Sequence, residues 1–215
     1  MNIAIVGATG YVGSKILTEA VNRGHQVCAI TRSVEKLPKA PAIDPVKADV
    51  NDVNALTDHF RGKDAVIHCY SPAKNLGLAE KMDQQGNATQ TIITAVKAAD
   101  VPRLLAVGGA GSLYVAPGVR DMDQPDFPKE WEGGVKATLL IKEILTKEPE
   151  LDWTYLSPSH NLVPGERTGK FRLGQDDLLV SSDGQSRISV EDYAVAMIDE
   201  LENPKHTRRR FTVGY

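Results

Sequence analysis

Residues 2–17 read NIAIVGATGYVGSKIL, and this stretch decides the fold. The short apolar run at residues 2–6 ends at Gly7, which is the pattern of a central parallel strand buried on both faces. Over residues 11–23 apolar side chains recur at helical spacing, and Gly24 supplies a stop. The stretch therefore predicts a strand, a tight turn and a helix in immediate succession.

The same alternation continues along the chain, where apolar runs predict strands and amphipathic stretches predict helices. The predicted strands are 26–30, 45–48, 64–68, 103–107 and 152–156, and the predicted helices are 53–61, 78–99 and 135–145. Strands that alternate with helices favour an α/β fold built on a doubly wound parallel sheet with right-handed crossovers.

The rhythm changes after Pro158. Short β-like pieces, 170–173 and 178–180, then lie between turns rich in Gly and Asp. Residues 189–192 resemble a capping box that opens a last helix to about residue 201, and residues 210–213 predict a closing strand.

The length bounds the number of domains. A chain of 215 residues can bury one sizeable α/β core, but it is short for a nucleotide domain plus an independent substrate domain. We expect one domain over residues 1–215, in which about 159–188 form a small C-terminal elaboration on the substrate side.

The turn between the first strand and helix carries a nucleotide signature, Gly7-x-x-Gly10-x-x-Gly13. The tight turn requires Gly7, close backbone approach to a pyrophosphate requires Gly10, and close packing of helix on strand requires Gly13. The unpaired N–H groups of the helix N-terminus attract an anion. We expect Thr9, Tyr11 and Val12 to contact the cofactor with these glycines.

The end of the second strand indicates which dinucleotide binds. NAD-selective sites usually place a carboxylate there, whereas a 2′-phosphate needs cationic and hydroxyl donors. Here the strand ends in Thr31-Arg32-Ser33, so Arg32 and Ser33 favour NADP(H) over NAD(H), with a solvated loop cation as the alternative for Arg32. Asp49 and Val50 are expected at the adenine, with a helix-capping Asp49 as the alternative.

Composition excludes several classes. A formal net charge of −3 and a pI near 6.0 argue against broad binding of nucleic acid or anionic lipid. Cys28 and Cys69 lack metal-ligand spacing and indicate free thiols of a reducing compartment, so we expect a cytoplasmic protein with no signal peptide and no membrane span. The histidines show no metal-site spacing, and we expect no metal.

The chain resembles the atypical short-chain dehydrogenase/reductases over essentially its whole length. The resemblance rests on the glycine spacing, Asp49-Val50, Gly86-Asn87-Ala88-Thr89, the strand end at residues 107–112, and the later segments 156–160, 164–169 and 187–194. Within that superfamily it is similar to the NmrA-like and flavin reductase/biliverdin-IXβ reductase branch. The resemblance implies a NAD(P)-binding Rossmann fold and a nicotinamide-dependent reductase.

One departure from the superfamily bears on the chemistry. Typical members carry Tyr-x-x-x-Lys on the helix after the fifth strand, where the lysine lowers the tyrosine pKa and the phenol relays a proton. In this alignment those positions hold Gly134 and Thr138. The same pattern at residues 11–15 and 70–74 falls in a turn and a loop, where we interpret it as chance. The tyrosine that usually serves as the acid in reactions of alcohols and sugar carbonyls is therefore missing.

Hydride transfer to a flavin or quinone asks less of the protein, because positioning above the nicotinamide supplies most of the effect. His160 follows the sixth predicted strand and matches a histidine of the flavin/biliverdin reductase pattern, so it is a candidate to orient or protonate the acceptor; a structural histidine is the alternative. Ser112 is a second catalytic candidate, although the register could place Ala110 there instead.

Further contacts are expected around the nicotinamide and the acceptor. Residues expected to border the cofactor are Val107, Gly108, Gly109, Ser157 and Pro158, together with Cys69 and Tyr70 after the fourth strand. Aromatic side chains that could form a flat wall for a planar acceptor are Tyr70, Tyr114, Phe127 and Trp131. Some of these glycines and aromatic residues could instead serve packing alone.

Two functions are compatible with the sequence. The first is an NADP(H)-dependent oxidoreductase that transfers hydride to a flavin, quinone or similar planar acceptor, with FMN or FAD as substrate. The second is an NmrA-like NADP(H) sensor that signals without turnover. We expect a small-molecule acceptor as the partner, no nucleic acid or membrane, and a monomer or weak homodimer.

Overall fold

Strands and helices alternate through the first two thirds of the chain, which the computed structural model describes over all 215 residues. The elements up to the fifth strand are β1 (Asn2–Val6), α1 (Gly13–Asn22), β2 (Gln26–Thr31), β3 (Ile43–Lys47), α2 (Val53–Phe60), β4 (Ala65–His68), α3 (Leu78–Ala98) and β5 (Arg103–Val107). Each lies where the alternating pattern predicts it, to within a few residues.

The remaining elements are shorter and less regular. They are β6 (Tyr114–Ala116), β7 (Val119–Arg120), α4 (Glu132–Thr146), β8 (Asp152–Pro158), β9 (Asn161–Val163), β10 (Arg172–Gly174), β11 (Arg187–Ser189), α5 (Val190–Glu202) and β12 (Arg209–Gly214). Short 3-10 turns precede α4 at Asp121–Asp123 and Lys129–Trp131.

Eight strands form the central sheet in the order β10-β12-β8-β5-β4-β1-β2-β3. All neighbouring pairs run parallel except β10, which pairs antiparallel with β12. The order reverses between β1 and β4, because the chain first builds outward through β2 and β3 and then returns to the other side of β1. This is a doubly wound, Rossmann-type single domain, as the sequence predicts.

Helices cover both faces of the sheet. On one face α1 packs beside α5, and on the other α3 packs against both α2 and α4. Each face buries a cluster of 22 residues, and the central strands contribute alternate side chains to the two clusters. The apolar runs of β1, β4 and β5 follow from this arrangement, because both faces of a central parallel strand are covered.

The predicted start of α5 is confirmed with Ser189 as its N-cap, but the reciprocal bond of a capping box is absent, because the Ser189 N–H donates to the Tyr215 hydroxyl. The Ser189 side chain accepts a hydrogen bond from the Asp192 N–H at 3.0 Å and so satisfies one of the unpaired N–H groups of the helix. The closing strand is also confirmed, as β12, which lies parallel to β8 inside the sheet.

The predicted β piece at 178–180 is wrong. Only Asp177 forms an isolated bridge, to Tyr114, and residues 178–180 lie outside any strand. Leu179 instead packs over Gly174 and Gly214 at the sheet edge. Apolar side chains at this position therefore serve docking of a loop, which the pattern alone does not distinguish from a strand.

Residues 159–188 lie at the carboxyl edge of the sheet, where β9 pairs in parallel with β11. A second small pairing, the hairpin of β6 and β7, lies in the loop between β5 and α4. The sequence did not indicate either pairing. No helix in the structure combines the length and apolar character needed to cross a bilayer.

Candidate functional site

A cavity of about 410 Å³ opens at the carboxyl edge of the sheet, above the point where β1 meets β4. In open α/β sheets ligands bind at such a reversal of strand order. The cavity is lined by Val6, Gly7, Thr9, Gly10, Tyr11, Val12, Ile30, Thr31, Arg32, Ala48, Val50, Cys69, Tyr70, Ser71, Pro72, Lys74, Val107, Gly108, Thr138 and Ile141. Eleven of the residues predicted to contact a cofactor are therefore brought together here.

The turn of residues 7–13, which we call the glycine turn, is closed by tight backbone contacts. Gly7 has φ of +88°, and a Cβ there would lie 2.8 Å from the Cys69 carbonyl carbon. A Cβ on Gly13 would lie 2.3 Å from the Gly7 carbonyl oxygen. Gly13 is buried at the start of α1 and does not line the cavity, so its role is to let the helix pack onto the strand.

The glycine turn presents unpaired backbone donors. The Gly7 and Ala8 N–H groups bond to the Ile30 carbonyl, and the Gly10 N–H bonds to the Gly7 carbonyl at 3.0 Å. The N–H groups of the other four residues, Thr9, Tyr11, Val12 and Gly13, have no acceptor within the chain. Free amides at a helix N-terminus form an anion site, and the residues present therefore fit a pyrophosphate.

Hydroxyl groups connect the glycine turn to the end of β2. The Thr9 and Thr31 hydroxyl oxygens are 2.6 Å apart, and the Ser33 N–H donates to the Thr31 hydroxyl at 3.2 Å. Arg32 lines the cavity and is exposed, without any ion pair inside the chain. Ser33 does not itself line the cavity.

Only some of the residues predicted to contact the adenine line the cavity. Val50 and the half-buried Tyr70 line the cavity, whereas the Asp49 carboxylate lies outside the lining and accepts from the Asn51 N–H at 2.9 Å. Asp49 is therefore engaged in a local turn, and the cap of α2 is Asp52. Lys74, on the loop after β4, adds a second cation to the cavity wall.

Cys69 contributes a neutral wall. It lies directly after β4 and lines the cavity beside Gly7. Burial raises the pKa of its thiol well above the ordinary value, so the group stays protonated and uncharged. A thiolate facing an anionic cofactor is thereby avoided.

The opposite end of the cavity is formed where β5 ends. A Cβ on Gly108 would lie 2.5 Å from the Tyr155 ring, and one on Gly109 would lie 2.4 Å from the Thr138 hydroxyl. The Tyr155 hydroxyl accepts from the Gly109 N–H at 3.1 Å and donates to the Thr138 carbonyl at 2.9 Å. Gly108 and Val107 line the cavity, but Gly109 is held against α4.

His160 lies at the same carboxyl edge, directly beyond β8 and outside the cavity lining. Its Nδ1 lies 3.0 Å from Oδ2 of the buried Asp121, and its ring packs on Trp131 with centroids 5.1 Å apart. The hydrogen bond with Asp121 raises the pKa of His160, and partial burial opposes this. Phe127 meets the Trp131 ring edge-on at 6.3 Å.

The remaining residues predicted to contact the acceptor or the nicotinamide are placed elsewhere. The Ser112 hydroxyl is buried and accepts from Arg210 Nη1 at 2.9 Å, so the structure does not bring it to the cavity. Ser157 and Pro158 are buried at the end of β8 beneath the edge, and the Ser157 hydroxyl has no partner. Tyr114 lies on β6 and bonds to the 176–178 segment rather than joining the other aromatic residues.

Sequence reasoning missed several residues of this region, among them Lys74, Thr138 and Asp121. Lys74 and Thr138 line the cavity, and Asp121 holds His160. A cation shortly after a buried strand was a signal available for Lys74. Thr138 drew notice only because it stands where the superfamily carries a lysine, and not as a residue of the cavity wall. Nothing in the sequence around Asp121 indicates that it pairs with a histidine 39 residues away. No group of three or more His, Cys, Asp or Glu side chains could hold a metal.

The doubly wound sheet, the glycine turn and its free amides define a dinucleotide-binding protein of the Rossmann type. Residues 7–201 match the NAD(P)H-binding family, and the chain belongs to that family. The fold and the structural relatives are those of an atypical short-chain dehydrogenase/reductase, as the motifs predict.

Several relatives match over the full length. The chain is 39% identical to Bacillus subtilis (strain 168) protein YwnB over 99% of this chain and 98% of that protein. A candidate epimerase from Bacteroides thetaiotaomicron has a TM-score of 0.91 at 46% identity, covering 100% and 96% of the two chains. A candidate NADH-flavin reductase from Streptococcus pneumoniae TIGR4 has a TM-score of 0.87 at 32% identity, covering 100% and 99%.

Proposed function

We propose that this protein is an NADP(H)-dependent reductase that passes a hydride to a flavin, a quinone or a similar planar acceptor. The observation that carries the proposal is the set of four unpaired amides at the glycine turn, next to a cavity that contains two cations and no carboxylate. Bound NADPH supplies a hydride from its nicotinamide ring.

The charge of the cavity supports NADP(H) over NAD(H). Arg32 and Lys74 line it, and no Asp or Glu side chain does. A carboxylate at the end of β2 would accept from a ribose 2′-hydroxyl and repel a 2′-phosphate, whereas a guanidinium binds the phosphate with charge-assisted hydrogen bonds. We assign Arg32 to the 2′-phosphate, with the Thr31 hydroxyl beside it.

The two ends of the cavity suggest the orientation of the cofactor. Arg32, Val50 and Tyr70 would hold the adenosine, the glycine turn would hold the pyrophosphate, and the β5 end at Val107 and Gly108 would face the nicotinamide ribose. We assign His160 and Trp131, whose rings pack on each other, to the acceptor beyond this end. The segment 159–188 then stands on the acceptor side.

The acceptor end suits a planar molecule that needs little acid–base machinery. Trp131 and Phe127 present aromatic surface beside His160, and Trp131 is 42% exposed. α4 offers no tyrosine: its Gly134 is exposed and Thr138 bonds within its own helix. Stacking positions a planar ring, and one histidine can supply the single proton required. The likeness to a candidate NADH-flavin reductase is in keeping with this class of acceptor.

The test combines binding with turnover. Calorimetry with NADPH and NADH measures association, and the absorbance of the reduced nicotinamide follows oxidation with FMN or a small quinone. We expect tighter binding of NADPH and steady oxidation above the protein-free rate. The absence of association with either dinucleotide contradicts the proposal at its foundation.

A second candidate is an NmrA-like sensor that binds NADP(H) without turnover. The observation in its favour is the lack of the Tyr-x-x-x-Lys pair on α4, where Gly134 and Thr138 stand instead, which removes the usual acid of the superfamily. Saturable binding of NADPH, with no oxidation across a panel of flavins and quinones, would select this function over the reductase.

A further inference from the structure

Asp121 is a buried carboxylate with one ionisable partner. The residue is 2% exposed, and its two oxygens lie 3.0 and 3.2 Å from Nδ1 of His160. The Gln124 side-chain amide donates to Oδ1 at 3.0 Å, and no Lys or Arg pairs with this carboxylate. Because an unpaired buried carboxylate is strongly disfavoured, this environment favours the imidazolium form of His160.

The acidic groups that face His160 act in the same direction. The hydrogen bond with Asp121 is the largest influence and raises the pKa of His160, and the charges of Asp121 and Asp126 raise it further. Partial burial of the ring opposes them. The ring also packs on Trp131, which adds no charge. The backbone N–H of His160 donates to the neutral Ser186 hydroxyl.

The orientation of the imidazole is fixed on two sides. Asp121 holds Nδ1, and the indole of Trp131 packs on the ring at an interplanar angle of 55°. Nε2 lies on the far side of the ring from Nδ1 and forms no hydrogen bond within the chain. The side chain is 26% exposed, so the free nitrogen belongs to a partly exposed group at the carboxyl edge of the sheet.

We propose that Asp121 is a positioning residue that holds His160 as an oriented imidazolium, whose Nε2–H gives the acceptor its proton. The inference rests on the proposed reductase function and narrows its substrate class to acceptors that become oxyanions or nitrogen anions on reduction, such as quinones and flavins.

The reaction balances with NADPH as the reductant. The acceptor gains two electrons and one hydrogen as hydride, while the nicotinamide is oxidised to its cationic form. The Nε2–H bond of His160 breaks as an O–H or N–H bond forms on the reduced acceptor. The neutral imidazole then takes a proton from solvent.

The primary test is Asp121→Asn, with Asp123→Asn as its matched control. Asp123 lies in the same short turn but is exposed and pairs with Arg120. Turnover in the wild type should fall as the pH rises through the pKa of His160, because only the imidazolium donates. Asp121→Asn should move this fall to lower pH by about one unit and reduce kcat about tenfold at neutral pH, with KM for NADPH unchanged. Asp123→Asn should retain the wild-type profile.

A measurement without turnover tests the pair directly. NMR titration of the His160 ring should give a pKa above the ordinary histidine value in the wild type and a lower one in Asp121→Asn. An unshifted His160 titration, or the same pH profile in both variants, overturns the inference even when the protein is an active reductase.

Failure of the proposed function gives a different result. If none of the tested acceptors supports oxidation of NADPH by the wild type, both the reductase function and the role of His160 as proton donor are refuted, whatever the NMR titration shows. If Asp121→Asn does not fold, His160→Gln replaces it. That variant should lower kcat roughly 100-fold and abolish the pH dependence, and unchanged turnover contradicts the proposal.

Discussion

At the scale of a residue, the proposed preference for NADP(H) depends on Arg32. It lines the cavity and forms no ion pair with the chain, so its charge is available to a ligand. The hydroxyl of the neighbouring Thr31 is 2.6 Å from the Thr9 hydroxyl. This contact joins the end of β2, next to Arg32, to the glycine turn. We therefore expect the 2′-phosphate and the pyrophosphate to bind to one rigid surface, formed by the end of β2 and the glycine turn.

Replacing Arg32 tests this assignment. Arg32→Asp should weaken NADPH binding roughly 10- to 100-fold, because a charge-assisted contact is lost and a repulsive charge is introduced, and NADH binding should change little. Calorimetry with both dinucleotides measures the change. Arg209→Asp is the control, since Arg209 is exposed at the amino-terminal start of β12, at the opposite edge of the sheet. Equal weakening of both dinucleotides by Arg32→Asp contradicts the 2′-phosphate role.

The three glycines of the turn are not equivalent. A Cβ at Gly7 or Gly13 would collide with backbone, whereas a Cβ at Gly10 would lie 3.2 Å from the Gly7 carbonyl oxygen and needs only a small adjustment. Gly10→Ala should therefore change the free energy of unfolding by less than about 1 kcal/mol but weaken dinucleotide binding at least about tenfold, since the methyl group blocks close approach of a phosphate.

The control for Gly10→Ala is Gly134→Ala. Gly134 lies in α4 with no atom close to a built Cβ, so alanine there should raise the free energy of unfolding by about 0.5–1 kcal/mol and leave binding unchanged. Urea unfolding and calorimetry on both variants separate the two effects. Full dinucleotide affinity in Gly10→Ala excludes close contact at this position.

At the scale of elements, Tyr155 joins three parts of the site. It belongs to β8, its ring fills the space above Gly108, and its hydroxyl bridges the Gly109 N–H and the Thr138 carbonyl of α4. Burial raises the pKa of its phenol to about 12, so the group serves as a neutral hydrogen-bond bridge and not as an acid. A strand tyrosine thus fixes the helix that usually carries the catalytic tyrosine in this superfamily.

Removing this hydroxyl should loosen the contact between α4 and β5. Tyr155→Phe should lower the free energy of unfolding by about 1–3 kcal/mol, because the Gly109 N–H and the Thr138 carbonyl lose their partner. Urea denaturation measures this, with Tyr114→Phe as the control, since the exposed Tyr114 hydroxyl has no hydrogen bond in the chain. Equal stability of the two variants would show that water replaces the bridge without loss.

At the scale of the whole molecule, one buried histidine links folding to pH. His68 ends β4 and is fully enclosed; its Nδ1 accepts from the Tyr70 N–H at 3.3 Å, and its Nε2 lies 3.2 Å from the Thr89 hydroxyl. Burial lowers the pKa of His68 to about 4. The unfolded chain has the ordinary histidine pKa near about 6.5, so between these values it binds more protons than the folded chain.

The free energy of unfolding should therefore fall as the pH decreases from about 6.5 towards 4, by roughly 3 kcal/mol from this residue alone. His68→Gln removes the proton-binding site and should flatten this part of the stability curve. Urea denaturation at a series of pH values measures the slope. His59→Gln, on the last turn of α2, is the matched control and should keep the wild-type slope. If the free energy of unfolding of His68→Gln changes with pH as steeply as that of the wild type, the acid sensitivity comes from other groups.

The sequence by itself determined the sheet, the glycine turn and most of the cavity wall. These features are local: a central parallel strand must be apolar on both faces, and a tight turn onto a helix requires glycine at fixed spacing. Gly7, Gly10 and Arg32 could therefore be assigned from neighbouring residues alone, and the structure brings all three to one cavity.

Only the tertiary structure decided which polar side chains meet. Asp121 forms a hydrogen bond with His160, which is 39 residues away in the sequence. Arg210 donates a hydrogen bond to the Ser112 hydroxyl, 98 residues away, and this serine is therefore not available at the expected site. Such pairs depend on how irregular loops dock at the sheet edge, and loops carry no hydrophobic period from which their positions follow. The pKa of His160 is raised chiefly by its distant contact with Asp121 and not by its own neighbours in the chain.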